Sequence, residues 1–214
     1  MKKIFLSSLF FLTINIVNSQ NTSNNTALKW NWMTFDNSSK LQIPDRVNEY
    51  KALIGLEDND ALVLERSSTD DLTTTHYRFQ QYHENIAVEG ARYLFHVNDK
   101  HPLKGNGRLV YNIDASATPQ ISKETAFAIA LNFMNAESFY WEKPGMEELI
   151  KRIKNNPEAT FFPEAKLVYS NQHYTQKGKN YKLTWKFDIS SFGEMGRKIV
   201  FVDAQTGVVL YALE

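Results

Sequence analysis

Residues 73–98, TTTHYRFQQYHENIAVEGARYLFHVN, contain two runs in which apolar and polar side chains alternate. In residues 73–82, aromatic side chains such as Phe79 alternate with polar ones, and residues 91–97 alternate in the same way. A period of two is typical of a β-strand, because successive side chains point to opposite faces of the sheet. Asn85 lies between the runs, so the stretch predicts two antiparallel strands joined by a short turn.

The flanking sequence extends this strand pair into a unit that covers residues 41–114. Residues 41–54 carry apolar side chains at helical spacing and predict a helix. Residues 61–65 and 108–113 predict further strands, with a turn at residues 105–107, which read Gly-Asn-Gly. The first unit is therefore expected to be a helix followed by an antiparallel meander.

Residues 115–120 are rich in small side chains and predict a linker to a second unit, residues 121–214. Ser122 is expected to cap a helix whose apolar residues recur at helical spacing. The remaining predicted elements are one polar helix and four strands, at residues 146–154, 165–169, 181–189, 198–202 and 208–213. The sequence thus predicts an α+β fold of two small units, each a helix packed on an antiparallel sheet.

The N-terminal residues have the pattern of a secretory signal peptide. Lys2 and Lys3 precede a mostly apolar run, residues 4–17, and small side chains precede a cleavage site after residue 19. We therefore predict a signal peptide at residues 1–19, a flexible leader at residues 20–40, and a product that is extracellular or periplasmic.

The composition excludes several classes of function. The chain of 214 residues has 24 basic and 24 acidic side chains, so the basic excess of a nucleic-acid-binding protein is missing. It has no cysteine, which excludes disulfides, thiolate metal sites and cysteine nucleophiles. No apolar run reaches the length of a membrane-spanning helix, so no stable membrane insertion is expected.

The sequence contains no recognisable catalytic motif. His83-Glu84 begins like the zinc peptidase motif H-E-x-x-H, but the position of the second histidine is Ala87. Phosphate-binding loops, dinucleotide fingerprints and nucleophile elbows are also missing. We therefore expect no catalytic residue, no metal site and no cofactor, and we predict that the chain is not an enzyme.

The strand pair resembles the FTP domain, the propeptide domain of fungalysins and thermolysins. The family pattern H-x-R-x-Q-Q is similar to residues 76–82, HYRFQQY, and is followed by an aliphatic-P-V-x-G turn, similar to residues 86–90, IAVEG. An H-V-N sequence at residues 96–98 also matches. The chain departs from the family at Ala87, where proline is usual.

Three downstream segments resemble a PepSY domain, which implies a PepSY/cystatin-like second unit. They are residues 122–130, 163–169 and 200–207. An FTP domain followed by a PepSY domain is the propeptide arrangement of secreted thermolysin-like metallopeptidases. The resemblance covers roughly residues 41–213.

The resemblance implies a non-catalytic partner of a thermolysin-like zinc metallopeptidase. Propeptides of this family assist the folding of the peptidase and block it until they are cleaved. We expect this chain to bind such a catalytic domain as inhibitor and folding chaperone, free-standing or truncated from it. The alternative is a secreted or envelope-associated PepSY-type module that binds an unrelated partner.

Two sets of residues are candidates for contact with the peptidase. On the FTP-like strand, His76, Arg78 and Gln80 share one face. That face either docks on the peptidase or has a structural role in which Arg78 pairs with an acid such as Glu65 or Glu89.

The second set is the C-terminal tail, Tyr211, Ala212, Leu213 and Glu214. In the family's zymogens the chain leaving the propeptide passes the active-site cleft, and an extended segment can lie along a substrate-binding strand. Leu213 is the expected anchor, because thermolysin-like enzymes favour a bulky aliphatic residue after the cut bond. If the chain ends at Glu214, its terminal carboxylate is expected near the zinc ion. The alternative is that Tyr211 and Leu213 complete the last strand.

Overall fold

The computed structural model describes residues 32–35, 43–100, 103–174 and 177–214 and has the predicted α+β class. The strands are β1 (Met33–Thr34), β2 (Asp60–Thr69), β3 (Thr75–His83), β4 (Ile86–Val97), β5 (Lys104–Arg108), β6 (Lys166–Ser170), β7 (Lys182–Ser190), β8 (Arg197–Asp203) and β9 (Val209–Leu213). The helices are α1 (Lys123–Met134) and α2 (Pro144–Lys154), with 3₁₀ helices at Val47–Ile54, Tyr140–Glu142 and Gly178–Asn180. The predicted signal peptide lies outside the described residues.

The strands form one sheet in the order β1-β5-β4-β6-β7-β8-β9, with β3 between β4 and β2. The central strand is β4, which pairs antiparallel with β3 and β5. It also pairs in parallel with β6, through Ala87 with Val168 and Val88 with Tyr169. The two predicted units therefore share a continuous sheet, and their boundaries at residues 115–120 stay a prediction.

The first hydrophobic core lies between the 3₁₀ helix at Val47–Ile54, called the 3₁₀ helix below, and one face of β3 and β4. Val47, Tyr50 and Ile54 of the 3₁₀ helix are buried and form one cluster with Phe79 and Phe95 of the strands. These side chains lie on the faces that their spacing predicted. Burial of this apolar surface stabilises a helix that is short and of a type rarely stable alone.

The N-terminal edge of this core differs from two predictions. Phe35, placed by the sequence in a flexible leader, is only 7% exposed and packs in the core next to β1. Gly105 and Gly107, predicted to form a turn, lie within β5. The lack of a side chain at both positions allows β4 to pack closely on β5. A Cβ on Gly107 would overlap the Arg92 carbonyl oxygen, and a Cβ on Gly105 would lie 2.6 Å from the Tyr93 ring. Glycine in a strand thus marks a close approach here.

In the second half of the sheet, helix α1 packs on one face of β7 and β8. The Ser122 hydroxyl accepts a hydrogen bond from the Thr125 backbone N–H at 3.1 Å, which confirms the predicted cap. Ala126 and Ala130 are fully buried against Phe187 and its neighbours. Within the described ranges no helix packs on the opposite face of these strands, where Phe201 and Thr184 are nevertheless fully buried.

A buried carboxylate organises the hairpin between β8 and β9. The Asp203 side chain accepts hydrogen bonds from the backbone N–H groups of Gln205 and Thr206 and lies 3.1 Å from the Lys182 ammonium. Burial raises the pKa of Asp203, but these hydrogen bonds and Lys182 outweigh it and hold the pKa below its ordinary value of 3.8. The predicted turn residue Gly207 has φ +78° and closes the hairpin.

Asp203→Asn is expected to lower the free energy of unfolding by about 1–2 kcal/mol at pH 7, because it removes the charge from these hydrogen bonds. A carboxylate with a depressed folded-state pKa stabilises the fold above its unfolded pKa and loses that effect as pH falls through the folded value. The difference between wild type and variant, measured by urea unfolding, should therefore shrink below about pH 4.

The matched control for this prediction is Asp188→Asn. Asp188 pairs with Arg197 at the surface, where its side chain is 50% exposed, so its effect should stay below about 0.5 kcal/mol. An Asp203→Asn difference that is the same at pH 7 and pH 3 would contradict the charge argument.

Candidate functional site

The register of β2 to β5 assigns each candidate residue to a face of the sheet. His76 lies directly opposite His96, and Arg78 lies opposite Leu94. Residues directly opposite each other share a face, so these side chains lie on the open face, away from the 3₁₀ helix. The structure therefore brings His76 and Arg78 to one surface, as the sequence predicted.

The side chain of Gln80 leaves β3 on the same face as His76 and Arg78, but it is buried, with 8% of the residue exposed. Its side-chain nitrogen donates hydrogen bonds to the carbonyl oxygens of Val88 at 2.7 Å and Ala91 at 2.9 Å. These carbonyls belong to a bulge in β4, where the pairing with β3 is interrupted and Gly90 has φ +74°. Gln80 therefore holds the bulge that directs the first residues of β4 towards β6, and its amide does not face a partner.

The neighbouring Gln81 is fully buried on the core side. Its Oε1 accepts a hydrogen bond from the Val110 backbone N–H at 2.9 Å, and its Nε2 donates to the Val110 carbonyl at 2.7 Å. Gln81 Nε2 also donates to a carboxylate oxygen of Asp60 at 3.3 Å. The same oxygen lies 2.9 Å from His83 Nδ1, and the side chains of Asp60 and His83 are at most 4% exposed. The two glutamines of the family pattern thus have structural roles, which the sequence alone did not indicate.

His76 belongs to a chain of polar contacts across the open face. Its Nδ1 lies 2.6 Å from Nδ1 of His96, and its Nε2 lies 3.1 Å from an Asp70 carboxylate oxygen. Nε2 of His96 lies 2.7 Å from the Asn106 side-chain oxygen, and the Trp32 ring packs on His96 with centroids 5.0 Å apart. His76 is therefore oriented by neighbours on both sides while a third of its side chain remains exposed.

Arg78 does not make the ion pairs that the structural interpretation expected. Glu65 pairs instead with Arg92 at 2.8 Å, and Glu89 pairs with Lys186 at 2.8 Å. The strand register explains this, because the bulge at Glu65 displaces it relative to Arg78 and turns it towards β4. Among the described residues, Nε of Arg78 is buried without a hydrogen-bond partner.

Three of the C-terminal candidates lie in the edge strand β9, and Glu214 directly follows it. Tyr211 lies opposite Phe201, is 8% exposed and stacks on the Phe201 ring with centroids 4.3 Å apart. Leu213 is partly buried against the same cluster, and Ala212 pairs with β8. The tail is thus an ordered strand, as the alternative interpretation expected.

Two features of β9 remain open to a partner. Among the described residues, no strand pairs with its outer edge, which leaves main-chain donors and acceptors free for an added strand. Glu214 is exposed, and its hydrogen bond with Lys198 at 2.8 Å lowers its pKa. These features are compatible with docking along an extended peptide or strand.

The described residues hold no group of three or more His, Asp or Glu side chains arranged to bind a metal ion. Within the same residues, every helix is too short or too polar to cross a membrane. Four strands of the sheet, β4, β6, β7 and β8, separate β9 from β3, so the two sets of candidates lie on separate parts of the molecule.

The family model of the Fungalysin/Thermolysin Propeptide Motif matches residues 60–104. No curated protein matches the chain. Among solved structures, the Bacillus megaterium YpeB C-terminal domain is 14% identical, with 89% of this chain and 68% of that chain covered and a TM-score of 0.33. The similarity to the Fungalysin/Thermolysin Propeptide Motif therefore lies in the segment formed by β2, β3, β4 and the first residue of β5.

Proposed function

We propose that this chain is a non-catalytic propeptide-type protein that inhibits a secreted thermolysin-like zinc metallopeptidase and assists its folding. The observation that carries the proposal is the match of residues 60–104 to the propeptide motif. Those residues form a complete three-stranded meander whose two motif glutamines are satisfied inside the fold. A folded propeptide unit offers a template surface to a peptidase domain without entering its chemistry.

The second unit, residues 121–214, is proposed to act as the PepSY-like half of the propeptide. It carries a capped helix on an antiparallel sheet, and it is joined to the motif through β4 and β6. The Lys186–Glu89 ion pair, with both side chains about one-fifth exposed, also links the two halves. The pairing of β4 with β6 and this ion pair support a single surface on which both halves dock on one partner.

We assign the inhibitory contact to β9. Its open edge can pair with an extended strand of the peptidase, and main-chain hydrogen bonds of this kind give affinity while side-chain pockets give specificity. Leu213 is proposed as the side chain that enters a pocket, with Ala212 and Glu214 beside it. Tyr211 anchors the strand to the sheet by its stack on Phe201.

The proposal predicts inhibition of thermolysin, the enzyme that gives the family its name. We expect the purified chain to inhibit hydrolysis of a small peptide substrate with a dissociation constant of about 1 μM or lower, which corresponds to about −8.2 kcal/mol. It should also increase the yield of active enzyme when denatured thermolysin is refolded. Both are measured by initial rates, with electrophoresis to check that the chain remains intact.

Subtilisin, which has a catalytic serine instead of zinc, is the control and should be neither inhibited nor helped to refold. A chain that remains folded but gives neither effect on thermolysin at about 100 μM, where millimolar-class affinity would begin to show, contradicts the proposal. That outcome would favour the PepSY-type module with an unrelated partner.

A further inference from the structure

The open face of β2 to β5 carries pairs of like charges directly opposite each other. Arg66 of β2 lies opposite Arg78 of β3, and Arg92 of β4 lies opposite Arg108 of β5. Like charges at directly opposed positions destabilise a sheet unless something compensates them. Arg92 is compensated by Glu65, which it contacts through two nitrogens at 2.8 and 3.1 Å.

Arg108 is also accommodated within the fold. Its guanidinium donates to the Gly90 carbonyl oxygen at 2.9 Å and lies 5.2 Å from the centroid of the Tyr174 ring. Arg66 and Arg78 differ from this pair. Among the described residues neither makes an ion pair, and the buried Nε of Arg78 has no acceptor.

In the second half of the sheet, the positive charges on the open face are compensated by nearby carboxylates. On the face away from α1, each cation of β6 to β8 has a carboxylate within 4 Å. The pairs are Lys166–Glu164, Lys182–Asp203, Lys186–Glu89 and Arg197–Asp188. The uncompensated Arg66 and Arg78 are therefore a local exception rather than a general property of this sheet.

The remaining sequence brings little negative charge that could serve these arginines. Residues 1–31 contain no Asp or Glu, and the other undescribed segments contain one acid, Asp36. A guanidinium presents N–H groups in a planar fork that matches a carboxylate, so the opposed side chains of Arg66 and Arg78 are suited to bind one.

We propose that Arg66 and Arg78 form a carboxylate-binding site, and that the carboxylate is an acidic side chain of the peptidase on which the chain docks. The identity of the partner rests on the proposed function, whereas the carboxylate site itself does not. A carboxylate placed between the two side chains accepts hydrogen bonds from the terminal nitrogens of both guanidiniums and neutralises a like-charge pair. This places the peptidase contact of the motif at Arg66 and Arg78 and gives His76 a flanking position.

The double variant Arg66→Gln/Arg78→Gln tests the site through stability first. If the arginine pair serves binding and not folding, its removal should relieve the repulsion between the two charges in the free protein. We therefore expect the variant's melting temperature to rise by about 1–3 °C, and by less at high salt, where the repulsion is screened. The control is Arg152→Gln/Lys154→Gln on the exposed side of α2, which removes the same charge and should change the melting temperature by less. A double variant that melts several degrees lower would assign the arginines a structural role and overturn the proposal.

Binding is then measured by NMR of the arginine Nε–H groups during titration with two blocked tripeptides, Gly-Glu-Gly and Gly-Gln-Gly. The Arg78 signal of the wild-type chain should shift and saturate with the glutamate peptide only. No difference between the peptides overturns the carboxylate site. A shift of the Arg78 signal with inorganic sulfate but not with the glutamate peptide also overturns the carboxylate site. That result would assign the arginine pair to a sulfate or phosphate group.

Affinity for thermolysin separates this inference from the proposed function. If the wild-type chain inhibits, the Arg66→Gln/Arg78→Gln variant should bind about 10-fold more weakly or worse, while the α2 control binds within about 2-fold. Equal inhibition by wild type and variant overturns the docking role and leaves the proposed function standing. A wild-type chain that binds the glutamate peptide but not thermolysin retains the carboxylate site and refutes the proposed function.

Discussion

Replacing Gln81 with methionine should lower the free energy of unfolding by about 3–5 kcal/mol. The change keeps the length of the side chain but removes both of its hydrogen bonds to Val110, whose backbone N–H and C=O are then left without partners. Val110 is fully buried, so water cannot replace them, and each unpaired buried group costs about 1–3 kcal/mol. Urea unfolding followed by tryptophan fluorescence measures the loss.

The control is Gln172→Met, because Gln172 is exposed and the same substitution there should change stability by less than about 0.5 kcal/mol. Gln80→Met is a second, informative comparison. It leaves the carbonyls of Val88 and Ala91 without their donor and should destabilise by a smaller amount, since a carbonyl without its donor is tolerated better than a buried N–H. A Gln81→Met variant within 1 kcal/mol of wild type would contradict this interpretation of the motif.

These glutamines show how far the sequence could predict the fold. Alternation of apolar and polar residues predicted β3, most of β4 and the α+β class, because burial on one face imposes a period of two on a strand. Hydrogen bonds between a side chain and a distant backbone leave no such period. The pairing of Gln81 with Val110, 29 residues away, therefore could not be read from the local pattern.

Glycine produced the clearest error for a related reason. Gly-Asn-Gly indicates a turn when only local conformation is considered. In the fold, Gly105 and Gly107 lie in β5 because neighbouring groups from β4 approach the backbone where a side chain would be. The strand β1 and the burial of Phe35 follow from the same pairing, since Met33 lies opposite Gly105.

The candidate site was predicted in part. Period-two alternation correctly placed His76 and Arg78 on one face, but the expected partners of Arg78 were wrong. Which acid meets which arginine depends on strand register and on the bulge at Glu65, and a shift of one residue moves a side chain to the other face. The like-charge pair of Arg66 and Arg78 appears only once β2 is aligned with β3.

The tail gives the second large effect. Deleting residues 211–214 should lower the free energy of unfolding by about 3–5 kcal/mol, the range found when a large buried aromatic side chain is removed. The deletion removes the stack of Tyr211 on Phe201 and most of the pairing between β9 and β8. Phe201 is fully buried and would become exposed to water. Thermal and urea unfolding should both show the loss.

This expectation changes how docking at the tail has to be tested. A chain shortened by four residues loses inhibition because its last strand is disrupted, whether or not the strand touches the peptidase. Deleting Glu214 alone removes an exposed side chain and its contact with Lys198, so stability should change by less than about 0.5 kcal/mol.

Leu213→Asn keeps the strand and removes the proposed anchor. A folded Leu213→Asn variant with at least 10-fold weaker inhibition supports docking through Leu213, whereas unchanged inhibition moves the contact away from β9. A chain lacking residues 211–214 that unfolds at the same urea concentration as wild type would show that Tyr211 contributes nothing to the core.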